Sequence, residues 1–205
     1  MIAKDIVHSL FPTAVYQTSI NRKFTKKEIL FLEKQKNNLK KIEGNSKTIN
    51  SYVLNEKPLK QLKDDLTNAS HKYYKNIFAT YNKITPYVTQ SWLNYNVKGE
   101  HHHSHEHPNS IVSGVFYLKA DKAHDKITFH KNAYSQINLQ TNQYNNWNSL
   151  TWWVPVKSGD ILLFPSYLNH SVETKQDNNL RISLAFNTFV KGNIGSREGL
   201  SELNL

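Results

Sequence analysis

From about residue 90 to residue 190 the apolar side chains recur at every second position, a period that suits strands and excludes amphipathic helices. The segments SWLNYNV (91–97), IVSGVFYL (111–118), KITFH (126–130), TWWVPV (151–156), DILLFP (160–165) and LRISLAFNTFV (180–190) are rich in β-branched and aromatic residues. Several short strands of this kind, joined by turns, close into a sandwich or barrel. The connecting stretch 135–149 (SQINLQTNQYNNWNS) is too polar for a core and reads as an exposed loop over one mouth of that barrel.

Upstream the period changes. Residues 11–20 allow one early strand, and Thr25 with Glu28 has the spacing of a capping box. A first helix, with Ile29, Leu32 and Leu39 on its apolar side, is predicted to run from there to Gly44. A second helix begins after Pro58 and carries Leu59, Leu62, Leu66, Ala69, Tyr73 and Ile77 on one stripe, a face that must pack on a sheet. No linker composition separates the halves, and 205 residues can bury a core without staples. We therefore expect one domain over 1–205: a helix-rich supporting part (1–89), a β core (90–190) and a C-terminal tail (191–205).

Cysteine is absent, which removes disulfides, thiolate nucleophiles and cysteine-ligated metals. Any metal must be held by His, Asp or Glu. No apolar run reaches a membrane span, and the N-terminus lacks the apolar block of a secretory signal, so a cytoplasmic protein without a membrane partner is expected. The formal charge of +10 invites nucleic acid, yet only Arg22, Arg181 and Arg197 are arginines. Widely spread lysine is a solvating surface more often than a phosphate-reading one, so nucleic acid is the less favoured partner.

Five of the ten histidines fall between His101 and His107. In an extended segment, His101, His103, His105 and His107 would project from one face. The bland alternative is a solvated, His-rich loop. His170 follows far downstream, after the buried-strand pattern ending at Pro165, and Arg181-Ile182-Ser183 lies eleven residues further on. The stretch 174–179 has turn composition, and a hairpin centred there would set positions 170 and 181 opposite each other. An Arg within an apolar strand needs an anionic partner.

These pieces resemble a known family. The pair His105-x-His107 running through Pro108, Asn109 and Ser110 into 113–118, the Trp92-x-Asn94 pair, Phe164-Pro165-Ser166 leading to His170, and Arg181-x-Ser183 are similar to the non-haem iron(II), 2-oxoglutarate-dependent oxygenases, in a small branch of phage and bacteria. The resemblance spans about 90–190. It implies a mainly β fold with N-terminal helices, in which a double-stranded β-helix (a jelly-roll, cupin-like barrel) is flanked by two or more α-helices. It implies Fe(II), the co-substrate 2-oxoglutarate and O2, with hydroxylation of a C–H bond and release of succinate and CO2.

The same resemblance implies His105, His107 and His170 as iron ligands. Position 107 is His where the wider superfamily has a carboxylate, and Glu106 is the alternative. Arg181 and Ser183 match the pair that binds the distal carboxylate of 2-oxoglutarate, with Tyr117 and Asn94 as further cofactor contacts; alternatively Tyr117 is a core tyrosine. A cupin-like metal protein that does not use 2-oxoglutarate, or a non-catalytic binding module, is the competing reading. The cupin pattern lacks its glutamate, since Ile111 and Val112 stand at the expected positions. Asn187 replaces a second Arg typical of nucleic-acid demethylases, so a protein or small-molecule substrate is favoured. Tyr144 and Trp147, aromatic anchors in the polar loop, are the candidate substrate contacts, and the oligomeric state is open.

Overall fold

The computed structural model describes residues 5–132 and 139–205. Two α-helices, α1 (Lys26–Gln35) and α2 (Lys60–Tyr73), accompany twelve strands. In chain order the strands are β1 (Tyr16–Ser19), β2 (Leu39–Lys41), β3 (Ser46–Thr48), β4 (Ile84–Asn96), β5 (His102–His105), β6 (Val112–Lys119), β7 (Lys126–His130), β8 (Thr151–Pro155), β9 (Asp160–Pro165), β10 (His170–Val172), β11 (Arg181–Ile194) and β12 (Leu203–Asn204). They form two antiparallel sheets. The larger has the order β1-β9-β6-β11-β4-β3-β2, with β12 on the end of β11, and the smaller the order β5-β10-β7-β8.

The capping box forms as the sequence requires: Thr25 Oγ1 accepts the Glu28 backbone N–H, and the Glu28 carboxylate accepts the Thr25 N–H at 2.7 Å. The helix it opens is shorter than expected. α1 stops at Gln35, and Leu39 to Thr48 turn instead into the β2–β3 hairpin, which joins the large sheet through β4. Gly44, expected to end the helix, sits in that hairpin turn at φ +88°. A Cβ there would lie 2.7 Å from the His101 carbonyl, and the Gly44 carbonyl accepts the His101 N–H, so this glycine seats the start of the histidine-rich segment.

The α2 stripe packs as its spacing demands up to Tyr73, whereas Ile77, expected on the same stripe, lies beyond the end of α2 and is exposed. Leu62, Leu66, Ala69 and Tyr73 are buried with Leu93, Phe116, Leu184 and Phe186 on one face of the large sheet. A second cluster, including Val115, Ile127, Phe129, Leu162 and Phe164, fills the space between the two sheets. Helices therefore back the large sheet, and the cavity described next opens between the sheets. The expected hairpin across 174–179 does not form. β10 lies in the small sheet and β11 in the large one, so His170 and Arg181 face each other across the cavity instead of along a ladder. The C-terminal residues extend the large sheet, with β12 paired on β11. No helix of the described residues is long and apolar enough to cross a membrane.

Candidate active site

The large sheet presents one alternating face to the cavity. β4 contributes Trp92, Asn94 and Asn96, and β11 contributes Arg181, Ser183 and Ala185, which are their register partners in reverse order. Tyr117, opposite Ser183 on β6, completes this wall. From the other side come His102, His105 and His107, with His170 of β10 beside them.

The histidine segment departs from strict alternation. His170 pairs with His105 and Val172 pairs with His102, so three steps on β5 oppose two on β10. That bulge brings His102 to the face occupied by His105 and leaves His103 exposed, while His101 is taken up by the Gly44 turn. His107 lies just beyond the strand, its backbone N–H held by the Ser166 carbonyl at 3.0 Å.

His105, His107 and His170 bring their ligating nitrogens within 4.8 Å of one another. All three rings are held the same way. The Nδ1–H of His105 donates to the His103 carbonyl at 2.8 Å, and that of His170 to the Leu168 carbonyl at 2.9 Å. His107 Nδ1 donates to Asn187 Oδ1 at 2.5 Å, with Ser113 Oγ 3.0 Å from the same nitrogen. With every Nδ1 occupied as a donor, every Nε2 keeps its lone pair. Burial holds the imidazoles in their neutral form: it pushes His170 down to about 3 and lowers His105 and His107, and the neighbouring rings add to this. Three neutral, convergent imidazoles form a donor set for a borderline divalent ion. Glu106 is exposed and outside the cavity lining.

Beside the histidines, three buried polar atoms have no partner among the described residues: Asn94 Oδ1, Asn96 Nδ2 and Arg181 Nη2. Each unpaired group of this kind costs about 1–3 kcal/mol unless a ligand satisfies it. All three residues line the same cavity. Arg181 is 4% exposed, and its Nη1 donates to Asp125 Oδ1 at 3.3 Å. The buried Lys175 also bonds Asp125 at 3.1 Å and reaches Asp177 at 2.7 Å. Two cations and two carboxylates thus balance, and one arm of the guanidinium has no partner among the described residues. Burial pushes the Tyr117 hydroxyl up, which leaves it a neutral donor on the same wall.

Residues 90–187 match the model of the family described as "Putative 2OG-Fe(II) oxygenase". Over those residues the chain carries the sequence pattern of the 2OG-Fe(II) oxygenases. The oxygenase fold extends to solved structures of low sequence identity. A prolyl-4-hydroxylase from Pseudomonas putida is 14% identical with a TM-score of 0.57, the match covering 85% of this chain and 92% of that one. HygX from Streptomyces hygroscopicus, solved with nickel, 2-oxoglutarate and hygromycin B, is 13% identical with a TM-score of 0.56, covering 86% and 82%. A 2OG-Fe(II) oxygenase family protein from Burkholderia pseudomallei is 12% identical with a TM-score of 0.54, covering 78% and 76%. A comparison with curated protein sequences gives no match.

The side chains of this cavity fit the two groups that the matching family is named for, iron(II) and 2-oxoglutarate. The imidazoles suit iron(II), and the unpartnered Arg181 Nη2 and Asn96 Nδ2 donors suit a carboxylate. The cavity brings together His105, His107, His170, Arg181, Ser183, Tyr117 and Asn94. Tyr144 and Trp147 are not part of it. They are exposed, in the connection between β7 and β8, and residues 135–138 of that loop lie outside the described residues. The loop leaves β7 at His130, whose N–H donates to the Asn169 carbonyl next to His170, so it springs from the end of the barrel that carries His170.

Sequence reasoning missed Asn96, Asp125, Lys175 and the support of His107 by Ser113 and Asn187. Asn96 had a signal, because the alternation through Trp92 and Asn94 continues to it. Asp125 and Lys175 lie 50 residues apart in loops and had none.

Proposed function

We propose that His105, His107 and His170 hold iron(II) through Nε2, and that Arg181 and Ser183, with Tyr117 and Asn94, hold 2-oxoglutarate. The oxygenase then hydroxylates a C–H bond of a protein or small-molecule substrate. The observation that carries this reading is the coincidence, in one cavity, of three ring nitrogens with free lone pairs and three unpartnered buried polar atoms.

Bound there, iron(II) with 2-oxoglutarate supplies oxidation of a C–H bond by O2: one oxygen atom enters the product hydroxyl, the other enters succinate, and CO2 leaves. The chain's own part is placement. Arg181, fixed by Asp125, offers Nη2 to the distal carboxylate without having to reorganise. Ser183 and the Tyr117 hydroxyl are hydrogen-bond donors to the same group, and Asn94 and Asn96 offer amides. The apolar cluster between the sheets keeps bulk water from the reacting end. The test is conversion of 2-oxoglutarate to succinate by the iron-loaded protein, together with a mass-spectrometric search of a lysate for products gaining one oxygen.

Asn187 has a role of its own in this reading, since it fixes the ring of His107. Asn187→Leu should lower iron affinity about 10- to 100-fold with the fold intact, read by metal titration and a thermal melt. The polar loop is the proposed substrate contact. Replacing Tyr144 and Trp147 by Ala should remove substrate-stimulated turnover while leaving uncoupled succinate formation unchanged; unchanged stimulation would direct the search to the N-terminal helices or the basic surface.

A pH dependence also follows from the buried imidazoles. His170 and His102 titrate near 3 in the folded chain, against about 6.5 when unfolded. Between those values the unfolded chain binds more protons, so stability rises with pH across the window and is lost as pH falls below about 6.5. Thermal melts of the iron-free protein between pH 7.5 and 4.5 should show a falling Tm, and His170→Phe should flatten the slope.

A further inference from the structure

One histidine on the cavity wall has no part in the proposed iron site. His102 comes to this face through the β5 bulge, its ring stacked on that of His105 at 4.4 Å and 16°. On its other side is the exposed ring of His103, 5.2 Å from His102 and 5.4 Å from His105. The ligating nitrogens of His102, His103 and His105 all lie within 4.8 Å of one another, the same closeness found in the inner triad.

His105 belongs to both groups. Its Nδ1–H is committed to the His103 carbonyl, so Nε2 is its one free donor, and that nitrogen can serve one ion at a time. His102 has a partner poised behind it. Asn45 is 1% exposed, its Oδ1 has no hydrogen-bond partner, and its Nδ2 lies 3.5 Å from His102 Nδ1. Turning that amide over brings the unpartnered Oδ1 to the ring. His102 Nδ1–H can then donate to it and release Nε2 as a ligand, the arrangement that Asn187 gives His107.

We propose that His102, His103 and His105 form a second, outer metal site for a borderline divalent ion such as Zn2+, Co2+ or Ni2+, and that this site competes with the inner one for His105. Three imidazoles without a carboxylate favour such ions over Mg2+ or Ca2+. His103 opens the site to solvent, so an ion arrives there without crossing the cavity. Excess zinc then withdraws His105 from the inner triad and inhibits the oxygenase reversibly, with His107 and His170 left as an incomplete inner pair. The outer site stands on its own geometry; the inhibition rests on the proposed iron site.

Three variants separate these claims. The double variant H107A/H170A removes the inner site and should still bind one equivalent of Co2+ or Zn2+, with affinity falling at least about tenfold when H103A is added. Because His103 is exposed, H103A alone should fold like wild type. It should keep one metal equivalent and its turnover of 2-oxoglutarate, and need at least about tenfold more zinc for half-inhibition at fixed iron. Zinc affinity that H103A leaves unchanged in the H107A/H170A background, or in H170A should the double variant not fold, overturns the outer site. A tenfold fall in that affinity together with unchanged zinc inhibition of H103A overturns the competition. Absence of succinate formation in every protein leaves the zinc-uptake arm to decide the outer site and counts against the oxygenase reading alone.

Discussion

Arg181→Ala is expected to lose 2-oxoglutarate while keeping iron. The guanidinium is buried on the cavity wall, with Nη1 on Asp125 and Nη2 without a partner. A buried carboxylate deprived of its cation costs roughly 3–5 kcal/mol, two or more decades in affinity. In an ordinary buried pair the variant would also strand Asp125 and destabilise the fold. Here Lys175 stays on Asp125 at 3.1 Å, so that carboxylate keeps a cation and the protein should remain folded. Arg181→Lys should recover only part of the affinity, because an ammonium cannot hold Asp125 and the cofactor in the same fixed plane. Calorimetry of each iron-loaded variant with 2-oxoglutarate, beside a thermal melt, reads both effects. Undiminished affinity combined with unfolding would make Arg181 a structural ion pair.

His170→Ala should abolish stoichiometric iron binding. His170 is 3% exposed, it stands in register with His105 across β10 and β5, and it is the donor that reaches the site from outside the 105–107 segment. Two neighbours on one segment cannot enclose an ion, so removing the third ligand leaves an open pair. His105→Ala and His107→Ala should behave alike, whereas Glu106→Ala should bind iron as wild type does because its side chain faces solvent. Full occupancy in His107→Ala with loss in Glu106→Ala would move the ligand role to the carboxylate.

The sheets were legible because burial on one face imposes alternation, and the predicted segments at 111–118, 126–130, 151–156 and 160–165 fall within a residue of β6, β7, β8 and β9. What alternation alone cannot express is a break in it. One extra residue in β5 moved His102 to the cavity and left His103 in solvent, reversing the parity that regular spacing assigns. The β2–β3 hairpin was hidden for a similar reason. Its residues 39–48 are Lys-rich, with Leu39 and Ile42 as the large apolar positions, so period carried little information there, and Gly44 reads equally as a helix end or a turn. The hairpin reading of 174–179 placed His170 and Arg181 on one face for the wrong reason, because turn composition does not distinguish a hairpin from a crossing between sheets. The partner of Arg181 was illegible: an isolated Asp in a loop becomes its counter-ion only once the barrel closes.

The most direct test of the account is an anaerobic titration of the metal-free and the iron-loaded protein with 2-oxoglutarate. If the histidine triad and Arg181 share one cavity for iron and cofactor, the iron-loaded protein binds one equivalent, and that binding is weakened by iron removal, by His170→Ala and by Arg181→Ala. Binding that is indifferent to iron and to His170, or its absence from protein that holds iron stoichiometrically, would contradict it.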